Sequence, residues 1–206
     1  MIDNYGEQVE VKERNCILCD AEILELCEEQ AMITPFEDHV VRVDPLMGRK
    51  VVSYGLGSYG YDVRMEPTVK LMTNDRNAVL DPKKVDGNAY VDLQADNDGA
   101  ITIPPHGVIL VSTTEYIKMP KDVVAIVQGK STYSRVGLQC LCTPLEPGWE
   151  GNITMAMANT TPLPLRIYAR EGVAQILFFR GNKCDVNYAD RGGKYQGQKG
   201  ITTSRM

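Results

Sequence analysis

The sequence predicts one mainly β domain, a sandwich or jelly roll, with one short helix near the N-terminus. Many short segments that alternate or run apolar are separated by glycine and proline turns, which is typical of such folds. The length of 206 residues suits one domain with a proper core, and no repeat, linker or low-complexity run divides it. We therefore predict a single domain over residues 1–206, with an N-terminal arm at 1–16 and a flexible C-terminal tail at 187–206.

The elements follow in chain order. The clearest helix is predicted over 20–30, where Asp20 can cap the N-terminus and Ile23, Leu24, Leu26 and Cys27 form an apolar stripe. An extended segment follows at 33–36. Strands are predicted at 69–80, 89–93, 101–103, 108–113, 115–117, 123–127, 153–158, 165–169 and 171–179, with turns at 96–99 and 104–107.

The segment GSYGYDVR at 57–64 is rich in glycine and aromatic residues. Asp62 and Arg64 alternate there with Tyr61 and Val63, as on a strand with one polar face. We predict a buried Asp62–Arg64 pair at a subunit contact.

Composition limits the classes of function. The net charge of −5 argues against a nucleic-acid-binding surface, so an anionic nucleotide would depend on local cations. No apolar run reaches the roughly 18 residues of a membrane span, and the N-terminal residues lack the apolar core of a signal peptide. We expect a cytoplasmic protein with no membrane or nucleic-acid partner.

The cysteine and histidine pattern predicts no metal centre. The six cysteines read as reduced thiols, and Cys16-x-x-Cys19 has no second pair at matching spacing. Neither His39 nor His106 lies in a metal-binding pattern, and the H-x-E…P-C-x-x-C signature of zinc nucleoside deaminases is missing. We therefore expect no zinc.

The stretch from Gly129 to Asn159 contains the residues that most clearly suggest a chemical function. Lys130, Ser131 and Thr132 follow Gly129 and offer a cation and two hydroxyls, which suit phosphate oxygens. It is not a P-loop, because Val124 stands where the first glycine would be. A tight turn, EPGWEG at 146–151, follows and bears a carboxylate.

Several segments together carry a resemblance: GKSTYSRVGL at 129–138, TPLEPGWEG at 143–151, ANTTPLPLRIYAREGVAQILFF at 158–179, and GSYGYDVR. The chain resembles the dCTP deaminases, in the superfamily that also holds the trimeric dUTPases, from about residue 17 to 200. The resemblance implies a distorted jelly roll of the dUTPase-like β-clip type and a homotrimer. It also implies metal-free hydrolysis of dCTP to dUTP and ammonia, and it suggests feedback inhibition by dTTP.

The same resemblance assigns residues. Ser131 and Arg135 would place the water and stabilise charge, while backbone groups near Thr143 and Thr154 would read the cytosine edge. Glu146 would bind the sugar 3′-hydroxyl, and the tail would close over the triphosphate as a lid, with Mg²⁺ held only through the phosphates. The implied substrate-binding residues are Lys130, Ser131, Thr132, Tyr133, Ser134, Arg135, Thr143, Glu146, Thr154, Met155, Gln175, Tyr188, Lys194 and Gln198.

One position departs from the family. The catalytic glutamate of the pattern falls on Ala156, although the neighbouring residues match. Alanine cannot take or give a proton, and losing a positioned general base costs about 10²–10⁴-fold in rate. Two explanations stay open: a substitution introduced to trap bound nucleotide, or a natural variant that lost turnover.

Two other functions stay open. The shared scaffold allows a dUTPase or a bifunctional enzyme that releases diphosphate, with Glu146 as the acidic residue. Ala156 alone favours a non-catalytic nucleotide sensor that kept the pocket and lost the base.

Overall fold

A computed structural model describes residues 16–46, 48–73, 79–85 and 87–205. The predicted N-terminal arm, except Cys16, and residues 74–78 of the strand predicted at 69–80 lie outside these ranges. The elements are α1 Asp20–Gln30, β1 Ile33–Thr34, β2 Val40–Val43, β3 Lys50–Leu56, β4 Tyr61–Arg64, β5 Thr68–Met72, a 3₁₀ turn Gly87–Ala89, β6 Tyr90–Gln94, β7 Ala100–Ile103, β8 Val108–Lys118, β9 Val123–Gly129, α2 Ser131–Ser134, β10 Leu138–Leu141, β11 Glu150–Asn159, β12 Leu165–Tyr168 and β13 Gly172–Arg180.

The strands form three sheets, and their pairings are antiparallel. One sheet has the order β10-β11-β8-β5-β6 with β1 added on β8, a second has the order β2-β3-β4-β13-β9, and β12 pairs with β7. Buried side chains from all three sheets meet in one apolar cluster, as Met155, Ile176 and Ile167 illustrate. The prediction of a mainly β fold with a short N-terminal helix is confirmed.

Along strand β11, buried side chains strictly alternate with half-buried ones. Ile153, Met155 and Met157 are buried, whereas Thr154 and Ala156 are only half-buried. Because successive side chains of a strand point to opposite faces, Thr154 and Ala156 share the outer face of this sheet. Ala156, the position at which the resemblance expects a catalytic glutamate, therefore faces outward.

Helix α1 has the predicted bounds but a different cap. Asp20 is its first residue, and Cys19 occupies the N-cap position. The carboxylate of Glu22 accepts a hydrogen bond from the Cys19 backbone N–H at 3.1 Å. The prediction that Asp20 caps the helix was wrong, because the return contact from the third helical residue satisfies that end.

The predicted Asp62–Arg64 pair does not form. Arg64 Nε donates to Glu115 at 2.7 Å, and its NH1 group lies 3.2 Å from Glu37. Asp62 instead pairs with Lys130. Side chains two apart on a strand stand side by side, so each is free to meet an opposite charge from another element. The segment 57–64 thus contributes one residue to each of two separate ion pairs.

We expect Arg64→Met to lower the free energy of unfolding by about 3–5 kcal/mol, because it leaves a buried carboxylate without its partner. The Glu115 side chain is fully buried, and burial raises its pKa while Arg64 opposes the rise. When the pKa of a carboxyl is higher in the folded state than in the unfolded state, the fold loses stability as pH rises through the folded-state pKa. The stability lost in Arg64→Met should therefore increase from acid to neutral pH. Urea denaturation across this pH range measures it.

Lys70→Met is the matched control for this prediction. Lys70 pairs with Asp92 at 2.6 Å, but Asp92 is largely exposed, so the change should cost about 1 kcal/mol or less. Equal, small losses in the two variants would show that Arg64 does not stabilise the fold through Glu115.

Candidate functional site

An open groove of about 1130 Å³ runs along the outer face of β11. We call it the β11 groove. Its walls come from β10, from the turn before β11, and from the C-terminal tail. The predicted site residues that line it are Thr143, Glu146, Thr154, Ala156, Tyr188, Lys194 and Gln198. The fold therefore brings the predicted base, sugar and tail residues into one space.

The floor of the groove around Ala156 is apolar. Ala156 lies opposite Leu141 on β10 and opposite Leu110 on β8, so the three side chains share one face. Among the described residues, Glu146 is the one carboxylate that lines the groove. The position beside Ala156 therefore has no acidic side chain among these described lining residues.

The tail forms one wall of the groove through a series of hydrogen bonds. The Asn152 N–H donates to the Gln198 carbonyl at 3.0 Å, and the Gln198 side-chain amide donates to the Asn152 carbonyl at 2.6 Å. The Thr202 N–H donates to Thr154 Oγ1 at 3.0 Å, and Trp149 Nε1 donates to the Tyr195 carbonyl at 3.1 Å. Residues of the predicted lid thus lie against β11.

The predicted phosphate segment lies just after β9. Residues Ser131–Ser134 form a single helical turn. The side chains of Ser131, Thr132 and Arg135 are exposed. Lys130 is mostly buried and pairs with Asp62, so its ammonium is already neutralised in this structure.

The predicted catalytic residues do not meet within one chain. Ala156 lines the β11 groove, but neither Ser131 nor Arg135 does within the described residues. The phosphate segment opens instead toward a smaller cleft of about 460 Å³ whose lining includes Ser134 and Thr160. Ala156 and Ser134 therefore line two different clefts, which adjoin because Gln128 and Cys140 line both.

Two predicted binding side chains belong to the core. The Tyr133 side chain is buried, and its hydroxyl accepts the Tyr168 N–H at 3.1 Å. The Met155 side chain is fully buried, with its sulfur 3.9 Å from Cys140 Sγ. Both side chains are thus packed in the core, so the parts of these residues available to a ligand are their backbone groups. The period of two along β11 could have revealed this for Met155.

Although Gln128 of β9 lines the β11 groove, Gln175 does not. On β13 it stands opposite Asp62 of β4 and Gln128 of β9, so these three side chains share one face. This face also carries the Lys130–Asp62 pair. Gln175 therefore groups with the phosphate segment.

The structure contains an ion pair at a lining residue of the groove that the sequence did not suggest. Arg191 of the tail pairs with Glu146, and its guanidinium lies 5.3 Å above the Tyr188 ring. The two partners are 45 residues apart in the chain. A tail cation was visible in the sequence, but nothing in its spacing identified its partner.

The thiols beside the groove are unreactive at neutral pH. Burial raises the pKa of Cys140 to about 11 and that of Cys142 to about 12. Because the thiolate is the nucleophilic form, these residues do not supply a nucleophile.

The described residues lack two further features. They contain no cluster of three or more His, Cys, Asp or Glu side chains arranged to hold a metal ion. None of their helices combines the length and apolar character needed to cross a membrane.

Comparisons with known proteins agree with the fold. A family model described as dCTP deaminase-like matches residues 17–181. The chain is similar to a protein named dCTP deaminase from Xanthomonas oryzae pv. oryzae (strain PXO99A), with 47% identity over 190 residues, or 92% of this chain and 98% of that protein. A dCTP deaminase from Paraburkholderia phymatum is 49% identical over 187 residues, or 90% and 97%.

A solved structure shows the same fold. It is described as a 2′-deoxycytidine 5′-triphosphate deaminase from Agrobacterium tumefaciens, with a TM-score of 0.60 and 16% identity. The match covers 81% of this chain and 47% of that one, so this chain spans about half of its length.

Proposed function

This chain belongs to the dCTP deaminase family, and from that premise we propose that its β11 groove binds dCTP. The observation that supports the proposal is the convergence of Thr143, Glu146 and Thr154 with tail residues Tyr188 and Lys194 in one groove. In the proposed reaction, water adds to C4 of cytosine, the bond from C4 to the exocyclic nitrogen breaks, and ammonia leaves, which gives dUTP. With Ala156 in place of a base, the chain binds dCTP and turns it over very slowly.

The groove offers complementary contacts for the parts of dCTP. Glu146 accepts a hydrogen bond from the sugar 3′-hydroxyl, and backbone groups near Thr143 and Thr154 read the edge of the cytosine. Lys194 brings a cation to the triphosphate from the tail, where its ammonium now donates to the Arg205 carbonyl at 2.9 Å. The groove of one chain does not itself include a hydroxyl-rich cradle for the phosphates among its described residues.

A neighbouring copy supplies that cradle in a homotrimer. The separation of the Lys130–Arg135 segment from Ala156 within one chain supports this assembly, because neither surface alone holds every part of the site. Ile126 and Leu141 line the groove yet remain 39% and 50% exposed, as apolar groups do when another subunit covers them. Ser131 and Arg135 of one copy then face the groove of the next.

The bound nucleotide carries its own Mg²⁺. The donor set fits this arrangement, because Glu146, the single carboxylate among the described lining residues, is held by Arg191. When present, the ion neutralises part of the phosphate charge and is held by phosphate oxygens. We place the protein in the cytoplasm, with dUTP as product and dTTP as a candidate inhibitor.

Titration calorimetry of the unmodified chain with dCTP and Mg²⁺ tests the proposal. We expect dCTP to bind, dUTP and dTTP to compete with it, and ATP to bind much more weakly, because a purine does not fit a site shaped for a pyrimidine. An ammonia assay on the same sample should show almost no release. Failure of dCTP to bind would overturn the assignment.

Ala156 supports a second candidate, a non-catalytic nucleotide sensor. Such a protein would share the binding result, so binding alone does not separate the two. A chain that binds dCTP and stays inactive even when its missing carboxylate is restored would be a sensor. Release of diphosphate from dUTP would instead indicate dUTPase activity.

A further inference from the structure

We propose that Arg191 is a positioning residue for recognition of the sugar 3′-hydroxyl, and that it acts by holding Glu146. The inference rests on the proposed function, in which Glu146 accepts a hydrogen bond from that hydroxyl. It adds a residue of the tail to the groups that distinguish one nucleotide sugar from another.

The first argument is the contact itself. Arg191 binds Glu146 through its NH2 group and Oε2 of the carboxylate, and Glu146 lines the β11 groove. Among the described residues, this is the single ion pair that joins the tail from 187 to 205 with the rest of the chain. The other attachments of the tail are hydrogen bonds, so this contact alone couples the tail to a charged group of the site.

The second argument is that Arg191 sits on a rigid support. The Asn187 side chain is buried, and its Oδ1 accepts the backbone N–H groups of Ala189 at 2.9 Å and Asp190 at 3.1 Å. The Arg191 N–H donates to the Asn187 carbonyl, and the Tyr188 N–H donates to the Pro147 carbonyl at 2.9 Å. The turn that carries Arg191 is thus fastened beside the turn that carries Glu146.

The third argument concerns Glu146. Its backbone is fixed, because Ala125 and Leu145 exchange two hydrogen bonds and the Trp149 N–H donates to the Glu146 carbonyl at 3.1 Å. Its side chain is 42% exposed and has three rotatable bonds. Arg191 is therefore the group that restricts this side chain to one orientation, which reduces the entropy lost when a ligand binds.

The geometry leaves room for the sugar. The contact engages Oε2, one of two carboxylate oxygens, and a carboxylate can accept several hydrogen bonds at once. A 3′-hydroxyl can therefore bind Glu146 while Arg191 stays in place. It follows that Arg191 strengthens the binding of nucleotides that carry this hydroxyl and leaves the binding of others unchanged.

The test compares two ligands by titration calorimetry on the unmodified chain: dCTP and the dideoxy analogue that lacks the 3′-hydroxyl. R191Q should weaken dCTP binding by about fivefold, the upper range for an exposed ion pair, and leave the analogue's affinity unchanged. E146A should remove the preference for dCTP, because it removes the acceptor of the 3′-hydroxyl, and R191Q should add nothing on that background. R191K should keep part of the preference.

K199Q controls for the loss of one positive charge near the triphosphate. Lys199 is an exposed tail cation that forms no ion pair with the described residues, so its loss should affect the two ligands equally. If R191Q also weakens the two ligands equally, or leaves the preference intact, the inference is overturned while dCTP binding still stands. The inference likewise falls if the unmodified chain shows no preference, and absence of dCTP binding overturns the proposed function as well.

Discussion

Ala156→Glu is expected to turn this chain into an active deaminase, with ammonia release from dCTP rising by about 10²–10⁴-fold. The new carboxylate would take a proton from the attacking water and pass it to the ring nitrogen and the leaving amine. Among the described groove residues, the one other carboxylate is Glu146, which is held by Arg191.

The surroundings of position 156 suit a general base. The cross-strand neighbours Leu110 and Leu141 are apolar, and an apolar environment raises the pKa of a carboxyl group toward neutrality. A base with a pKa near the working pH is the most efficient. The side chain would point into the groove, because Ala156 shares the outer face of β11 with Thr154.

Ala156→Gln is the matched control. Glutamine has almost the same shape as glutamate but cannot accept the proton, so this variant should bind dCTP and remain as slow as the unmodified chain. An ammonia assay under saturating dCTP measures the three proteins side by side. If the glutamate variant folds, binds dCTP and stays inactive, the chain is a sensor and the deaminase assignment is wrong for it.

The strands were the part of the fold that the sequence predicted best, because alternation directly reflects a half-buried face. The prediction at 153–158 falls within β11, and the predictions at 108–113 and 115–117 merge into the single strand β8. The break was expected at a run of polar residues. In the structure, Thr113 and Glu115 are buried and bonded to Asn152, so the strand continues through them.

Other elements and contacts could not be predicted. Strands β2 and β10 expose much of their length, so their apolar residues show no clear alternation. The ion pairs of Lys130 with Asp62 and of Arg191 with Glu146 join residues 68 and 45 positions apart. Which charges meet over such separations depends on the order of strands in the sheets, and local patterns carry no information about it.

Complementation between two inactive chains is the second large effect that we expect. The double variant A156E/R135A carries the base but lacks the arginine, and the unmodified chain has the reverse defect. Loss of a group that stabilises developing charge costs about 10²–10³-fold, so each protein alone should be nearly inactive. Co-expressed in equal amounts, they should recover about a quarter of the A156E activity, because in the proposed homotrimer one site in four pairs a base with an intact arginine.

The expected recovery of activity follows from where the structure places Arg135 and Ala156. Arg135 is exposed after α2 and does not line the β11 groove of its own chain, whereas Ala156 lies on the groove floor. Co-expression of A156E/R135A with R135A supplies the control, since no site then contains the arginine. A mixture that stays as inactive as this control would mean that each chain builds its site alone, and that the separation of Arg135 from Ala156 has another cause.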